Sequence, residues 1–164
     1  MSDEAVKEEA TRLLNAFDRL PRLVVFDLDY TVWPFWCECS SKHDKPSMYP
    51  HVSGIIKALR EKGVALAVAS RSPTPGIAIE FIKKLGLSST FSAVEIFSSQ
   101  SFKAEHFQRI QQKTGIPYSS MLFFDDETGN IRTVSKMGVT SILVNHGVDL
   151  DALNEGLTRF ATST

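Results

Sequence analysis

Five short segments limit what this chain can fold into. "RLVVFD", "VALAVAS", "SMLFFDD" and "TSILVN" open or run as nearly continuous apolar stretches, and "FSAVEIF" is a fifth, more mixed one. Runs of this length without polar alternation describe strands buried on both faces, as in a sheet covered by helices on each side. The segments between them carry helical spacing. From Pro50, Val52, Ile55, Ile56 and Leu59 share a face, and Gly63 stops the helix. Residues 75–85 place Ile77, Phe81, Ile82 and Leu85 inward before Gly86; "KAEHFQRIQQK" runs to Gly115; a short helix covers 129–137; Leu150, Leu153, Leu157 and Phe160 mark the last one. Strand and helix in alternation predict an α/β fold, a three-layer Rossmann-like parallel sheet with helices on both faces. Such a sheet brings the carboxyl ends of its strands to one edge, where these folds bind ligands.

Ahead of the first strand, Val6, Ala10, Leu13, Leu14 and Phe17 give an amphipathic helix over residues 3–18 that ends near Pro21. Residues 1–20 are therefore read as an amino-terminal helical extension, packed on the sheet edge or loosely held, and 21–164 as a single domain. Composition excludes some partners. Eighteen Lys and Arg against nineteen Asp and Glu leave a net charge of −1, so no global field favours nucleic acid or an anionic membrane. No apolar run approaches the roughly eighteen residues of a spanning helix. The opening "MSDEAVKEEATRLLNAFDRL" is acidic and helical rather than basic and apolar, so no leader and a cytoplasmic monomer are expected. The only cysteines, Cys37 and Cys39, are expected as a solvent-accessible pair of thiols in a reducing compartment; with His43 they make a weak metal signal.

The polar residues fall where the strands end. The first strand runs into Asp27 and Asp29, the second into Ser70 and Arg71, and "MLFFDDE" into Asp125 and Asp126. Lys103 lies between these last two strands, near the start of a helix. One strand ending in polar residues needs no explanation beyond solvent; three with this division of chemistry converge on a cleft. Asp27, Asp29 and Asp126, helped by Asp125, carry more negative charge than a cleft holds unpaired. A hard divalent cation relieves the repulsion, and oxygen ligands with room for water and phosphate describe magnesium. Asp27, first at the end of a rigid strand, suits a nucleophile that attacks phosphorus. Asp29 could protonate the leaving oxygen and then deprotonate water. Lys103, the Ser70 hydroxyl and backbone N–H groups would meet the charge of the transition state.

"DLDYT", "ASRS", Lys103 and "FFDDETGN", in this order, resemble the four signature motifs of the haloacid dehalogenase superfamily in its phosphatase branch. "LPRLVVFDLDYTVWPFW", "MYP", "EIF…KAEHF", "KTGIPYSSMLFFDDE" and "SKMGVTSILV" extend the likeness to the eukaryotic magnesium-dependent phosphatase family, over roughly residues 20–160. The resemblance implies an aspartyl-phosphate mechanism. Asp27 would be nucleophile and magnesium ligand, and Asp29 the acid/base, bound to the metal through its backbone carbonyl. Asp126 would complete the metal site, with Asp125 in support. The backbone of Leu28 and Asp29, with Ser70 and Arg71, would hold phosphate; Lys103 would steady nucleophile and phosphate. Trp36 would line the substrate entrance, and Asn130 would hydrogen-bond within its loop. Val32 stands where the family usually carries Leu. The segment from Cys37 to Met48 is shorter than in animal members, and "SSQSF" before Lys103 is longer.

About twenty residues separate Thr31 from His51 and about thirty separate Arg71 from Lys103, the latter already filled by a helix and a strand. Neither interval has room for a cap domain, so an open cleft is expected. It could admit a phosphorylated small molecule or a phosphoprotein, and the resemblance implies phosphotyrosine-like aryl phosphates or sugar and glycated-amine phosphates. The rival readings are a catalytically retired phosphate-binding scaffold and a receiver-like regulatory domain, whose acids and lysine would come in a different order. Of Trp33, Phe35 and Trp36, at least one is expected to be exposed. His43, His51 and His146 are expected at the surface without partners, and His106, three residues past Lys103, in solvent.

Overall fold

The computed structural model describes residues 1–163. Five parallel strands, β1 (Leu23–Phe26), β2 (Ala65–Ser70), β3 (Ala93–Ile96), β4 (Met121–Asp125) and β5 (Thr140–Leu143), form one sheet in the order β3-β2-β1-β4-β5. The helices are α1 (Asp3–Asn15), α2 (Val52–Glu61), α3 (Pro75–Lys84), α4 (Ala104–Thr114), α5 (Thr128–Lys136) and α6 (Leu150–Thr162). All four residues of β1 are buried, because alternate side chains feed different cores. Val24 and Phe26 join Leu66, Val68, Leu122 and Phe124 under α1, α2, α3 and α6. Leu23 and Val25 join Ala67, Ala69, Met121 and Phe123 under α4 and α5. The three-layer arrangement expected from the apolar runs is thus present, with helix ends within one to three residues of the expected limits.

The chain proceeds outward from β1 through β2 to β3, then returns to place β4 on the other side of β1. That reversal makes the gap above β1 and β4 a topological switch point, the usual position of a ligand cleft. Register sharpens this. Phe26 aligns with both Val68 and Phe124, so the residues after Phe26, Val68 and Phe124 emerge at the same height. A receiver-like sheet has another order, 2-1-3-4-5. The observed order removes that rival.

The amino-terminal helix is neither on the sheet edge nor loosely held. Ser2 caps α1 by accepting from the Ala5 N–H at 3.1 Å, and Val6, Ala10 and Leu14 are buried in the main core. The helix packs on α2 and α6, and it does so closely because residue 54 has no side chain. A Cβ on Gly54 would stand 2.7 Å from the Val6 Cβ and 2.8 Å from the Asp3 carbonyl oxygen. His51, expected without a partner, instead has one: its Nδ1 accepts from the Leu150 N–H at 3.1 Å and joins the start of α2 to that of α6. His43 and His146 are exposed, as expected.

Gly54→Ala separates two opposing effects. Helix propensity favours alanine by about 1 kcal/mol, whereas forcing a methyl against backbone costs about 1–3 kcal/mol. A net loss of stability, seen as a lower urea midpoint at unchanged slope, is expected. A more stable variant would show that α1 does not pack this closely.

Candidate active site

A turn separates Asp27 from Asp29, two positions apart in the chain. β1 ends at Phe26; Asp27 makes one more ladder bond, its N–H donating to the Phe124 carbonyl at 3.0 Å. The chain then curls. The N–H groups of Thr31, Val32 and Trp33 all converge on the Leu28 carbonyl, at 3.0, 2.8 and 3.3 Å. Tyr30 takes a positive φ of 56° and donates its N–H to the Trp33 carbonyl at 2.7 Å. The turn sends the carboxylates apart. Asp27 Oδ2 accepts from the Thr31 hydroxyl at 2.9 Å, while Asp29 Oδ1 accepts from the Trp33 indole N–H at 2.7 Å and the Cys37 N–H at 3.1 Å.

Lys103 occupies the charged centre. Its ammonium donates to Asp27 Oδ1 at 2.7 Å and to Asp125 Oδ2 at 2.6 Å, and the residue is 1% exposed. Burial alone would lower its pKa, but the charges of Asp27 and Asp125 outweigh that and raise it. Asp125 is further held by the Glu127 N–H at 2.9 Å and the Asn130 side-chain amide at 3.1 Å. Carboxylate oxygens of Asp27, Asp125 and Asp126 lie within 4.8 Å of one another. One ammonium cannot balance three carboxylates. Burial and the charge of Asp27 push Asp125 up to about 6 despite Lys103. Burial, a hydrogen bond to Asp27 and the charges of Asp27 and Asp125 push Asp126 up to about 8. A cluster of oxygen donors this electronegative fits a hard divalent cation. The Asp29 carboxylate is not part of this cluster, and its Oδ1 is taken by the Trp33 and Cys37 N–H groups.

The phosphate-binding candidates line the same cleft. Ser70 is buried at the end of β2, and its Oγ accepts from the Ser72 N–H at 3.3 Å. Arg71 donates from Nε to the Ser99 carbonyl at 3.0 Å and from Nη1 to Asn130 Oδ1 at 3.4 Å. It stands 3.7 Å from Glu127, with its guanidinium 5.0 Å from the centre of the Phe102 ring. Asn130 therefore braces both Arg71 and Asp125. Leu28 is the exception: it is buried in the main core and is not among the residues lining the cavity. Trp36 is 55% exposed and meets Tyr30 edge-to-face at 5.5 Å, while Trp33 is buried. The cavity bounded by Asp27, Asp29, Ser70, Arg71, Lys103 and Asp126, with Trp36 and Glu38 at its mouth, has a volume of about 110 Å³. Sites that enclose a whole small-molecule ligand measure roughly 300–1,000 Å³. This one is smaller than that range, with room for a small group rather than a whole ligand.

Two expectations fail here. His106 is fully buried rather than solvated: its Nε2–H donates to the Ser70 carbonyl at 2.7 Å and the Phe97 carbonyl at 3.0 Å, with the ring stacked 3.8 Å from Phe97. Burial, opposed by these bonds and reinforced by the Lys103 charge, lowers its pKa. Its spacing held the signal, since Lys103, His106, Phe107 and Ile110 form one buried stripe. Cys37 is also buried, its Sγ 3.3 Å from the Ser72 hydroxyl, while Cys39 is exposed. The two thiols have different surroundings because a short 3₁₀ turn at Cys37–Cys39 points them apart. Thr31 and Trp33, which hold the two aspartates, had been given no role.

Linkage sets a pH signature. Asp125 and Asp126 keep protons in the folded chain where the unfolded chain has released them, so their contribution is present below about pH 4 and lost as pH rises through about 6 and then about 8. His106 has the opposite sign: its lowered pKa adds stability above its ordinary value of 6.5 that is lost as pH falls. The two compete in mild acid, so Asp126 dominates just above neutrality, joined near the top of the range by the Cys37 thiol, whose pKa burial also raises. With chelator present, the urea midpoint should fall between about pH 7 and about pH 8.5, and Asp126→Asn should flatten that slope. Magnesium salt should raise the midpoint, more so at the higher pH, because cation and protons compete for the same oxygens. A midpoint indifferent to pH and magnesium would count against a cation-binding cluster.

The chain has counterparts in sequence and in fold. The family described as Acid Phosphatase matches residues 19–47 and 39–163. Magnesium-dependent phosphatase 1 of Homo sapiens is 41% identical over 158 residues, covering 87% of this chain and 89% of that protein. A HAD-like hydrolase superfamily protein of Schizosaccharomyces pombe is 35% identical over 144 residues, covering 73% of this chain and 83% of the other. Among solved structures, a HAD-superfamily hydrolase from Ehrlichia chaffeensis superposes with a TM-score of 0.68 at 12% identity, over 87% of this chain and 98% of that one. CbbY from Rhodobacter sphaeroides, in complex with phosphate, gives 0.64 at 12% identity, over 85% and 100%. At that identity the structural likeness speaks to the fold, while the closer sequences speak to descent. The chain belongs to the acid phosphatase family of the haloacid dehalogenase superfamily, alongside the magnesium-dependent phosphatases.

Proposed function

We propose that this protein is a magnesium-dependent phosphomonoesterase that works through an aspartyl-phosphate on Asp27. One observation carries the reading: Asp27 is held from both oxygens, by Lys103 at 2.7 Å and Thr31 at 2.9 Å, at the edge of a cavity with room for a small group. A carboxylate so restrained is already oriented for attack, and the entropy of placing it has been met by the fold. The human relative's name supports the choice of cation. Asp27, Asp126 and the Asp29 backbone carbonyl would hold magnesium, with Asp125 in support; when bound it would neutralise the carboxylates and polarise the phosphoryl group.

The steps balance as two displacements. An Asp27 oxygen bonds to phosphorus as the bond to the ester oxygen breaks, and that oxygen leaves with a proton from Asp29. Water then attacks the phosphoryl group, Asp29 takes its proton, and the phosphorus–Asp27 bond breaks to release inorganic phosphate. Lys103, the Ser70 hydroxyl, Arg71 and the Asp29 N–H meet the charge on the phosphoryl oxygens. Exposed Tyr30, Trp36 and Phe102 offer flat surfaces outside the cavity, which suits phosphotyrosine-like aryl phosphates and sugar or glycated-amine phosphates. A retired scaffold would not need Lys103 aimed at a nucleophile.

Asp27→Asn should fold normally and lose turnover by on the order of 10⁴-fold or more, since no parallel route replaces a covalent nucleophile. Release of phosphate from a panel of phosphate monoesters, with magnesium or with chelator, measures it. Full activity in the variant, or wild-type activity that survives chelation, would overturn the proposal.

A further inference from the structure

Asp29 meets only donors on one side. Its Oδ1 accepts the Trp33 indole N–H at 2.7 Å and the Cys37 backbone N–H at 3.1 Å. Neither an indole nor a backbone N–H can accept a hydrogen bond. A proton placed on Oδ1 would therefore face two other protons and break at least one of these bonds. Oδ2 accepts no hydrogen bond from a described residue, and Asp29 lines the cleft.

Trp33 cannot swing away to change this. It is fully buried, its ring lies parallel to Phe35 at 5.5 Å, and Phe81 meets both rings nearly perpendicular, at 5.6 and 5.7 Å, so the three lock as one cluster. The turn fixes its backbone as well, since Asp29 and Trp33 form a bridge and the Tyr30 N–H donates to the Trp33 carbonyl. The indole N–H is thus a rigid donor aimed at one oxygen of a residue four positions earlier.

We propose that Trp33 is a positioning residue for the acid/base step: with the Cys37 amide, its indole N–H reserves Oδ1 of Asp29 and confines the transferable proton to Oδ2, the oxygen left for the cleft. The inference rests on the phosphatase reading. In the first displacement the proton leaves Oδ2 for the ester oxygen as its bond to phosphorus breaks. In the second, Oδ2 takes the proton of the attacking water. Oδ1 stays hydrogen-bonded to both N–H groups throughout, so the side chain does not rotate between steps.

Leaving groups distinguish positioning from packing. Nitrophenolate departs without a proton, whereas an alkoxide needs one. Trp33→Phe keeps an aromatic ring against Phe35 and Phe81 and deletes the donor. It should lower kcat/KM, which reports the first displacement alone, by on the order of 10-fold more on an alkyl phosphate than on nitrophenyl phosphate. Phe35→Leu, which loosens the same packing without touching the donor, should change both substrates by one common factor. Equal losses on the two substrates in Trp33→Phe would overturn the proposal.

An NMR readout covers the case in which Trp33→Phe fails to fold. In the wild-type protein one indole N–H, that of Trp33, should resist exchange with solvent, and Asp29→Ala should shift its resonance while leaving that of exposed Trp36 in place. An indole signal unmoved by Asp29→Ala would also overturn the assignment. Absence of magnesium-dependent hydrolysis of either ester by the wild-type protein would instead defeat the phosphatase reading, leaving the NMR result to judge the hydrogen bond alone.

Discussion

The structure turns on one buried ammonium. Lys103 is sealed from solvent between Asp27 at the end of β1 and Asp125 at the end of β4, so it ties two neighbouring strand ends to the start of α4. Breaking a buried charge pair by removing one member costs about 3–5 kcal/mol, because the other charge is left unmatched. That interaction also explains a local irregularity. Phe102 and Lys103 both have positive φ, at 50° and 74°, a conformation costing non-glycine residues about 1–3 kcal/mol each. Two such residues in succession persist where a stronger constraint holds them, and the Lys103 contacts are that constraint. The strained pair in turn lays Phe102 under Arg71 and against the backbone of Gly129, where a Cβ would stand 2.9 Å from its ring.

Around this centre the charges do not balance, and the imbalance has chemical use. A fold selected for stability alone would not gather Asp125 and Asp126 beside Asp27 with a single lysine, as their raised pKa values show. The repulsion makes the cleft a fit for a divalent cation. The hydrogen bonds outside the cluster keep it in shape: Thr31 on Asp27, Glu127 and Asn130 on Asp125, and His106 on the carbonyl of Ser70. His106 secures the backbone at the end of β2 from below the cleft, which is why a titratable side chain is acceptable there in neutral form.

Much of this was legible in the chain. Apolar runs announced buried strands, and helical spacing announced the layers that bury them. The strand-end positions of Asp27, Ser70, Asp125 and Asp126 followed from those two patterns. His106, Cys37 and His51 were misplaced for a common reason. Each is a polar or polarisable side chain whose burial is decided by a partner far along the chain: the Ser70 carbonyl, the Ser72 hydroxyl and the Leu150 N–H. Local pattern cannot name such a partner. The amino-terminal helix shows the same limit, since its amphipathic face was plain but its seat on α2 depends on the missing side chain of Gly54.

By itself, then, the order of residues determined the α/β architecture and which acids reach the functional edge, because strand and helix periodicity and strand termini are local properties. The tertiary structure alone decided how those acids divide their work. The turn at Leu28–Trp33 parts Asp27 from Asp29, register sets Asp27 beside Asp125, and Lys103 arrives from a helix start far along the chain to join them. Charge and hydrogen bonding act over a few ångströms of space, and only folding converts distance along the chain into distance of that kind.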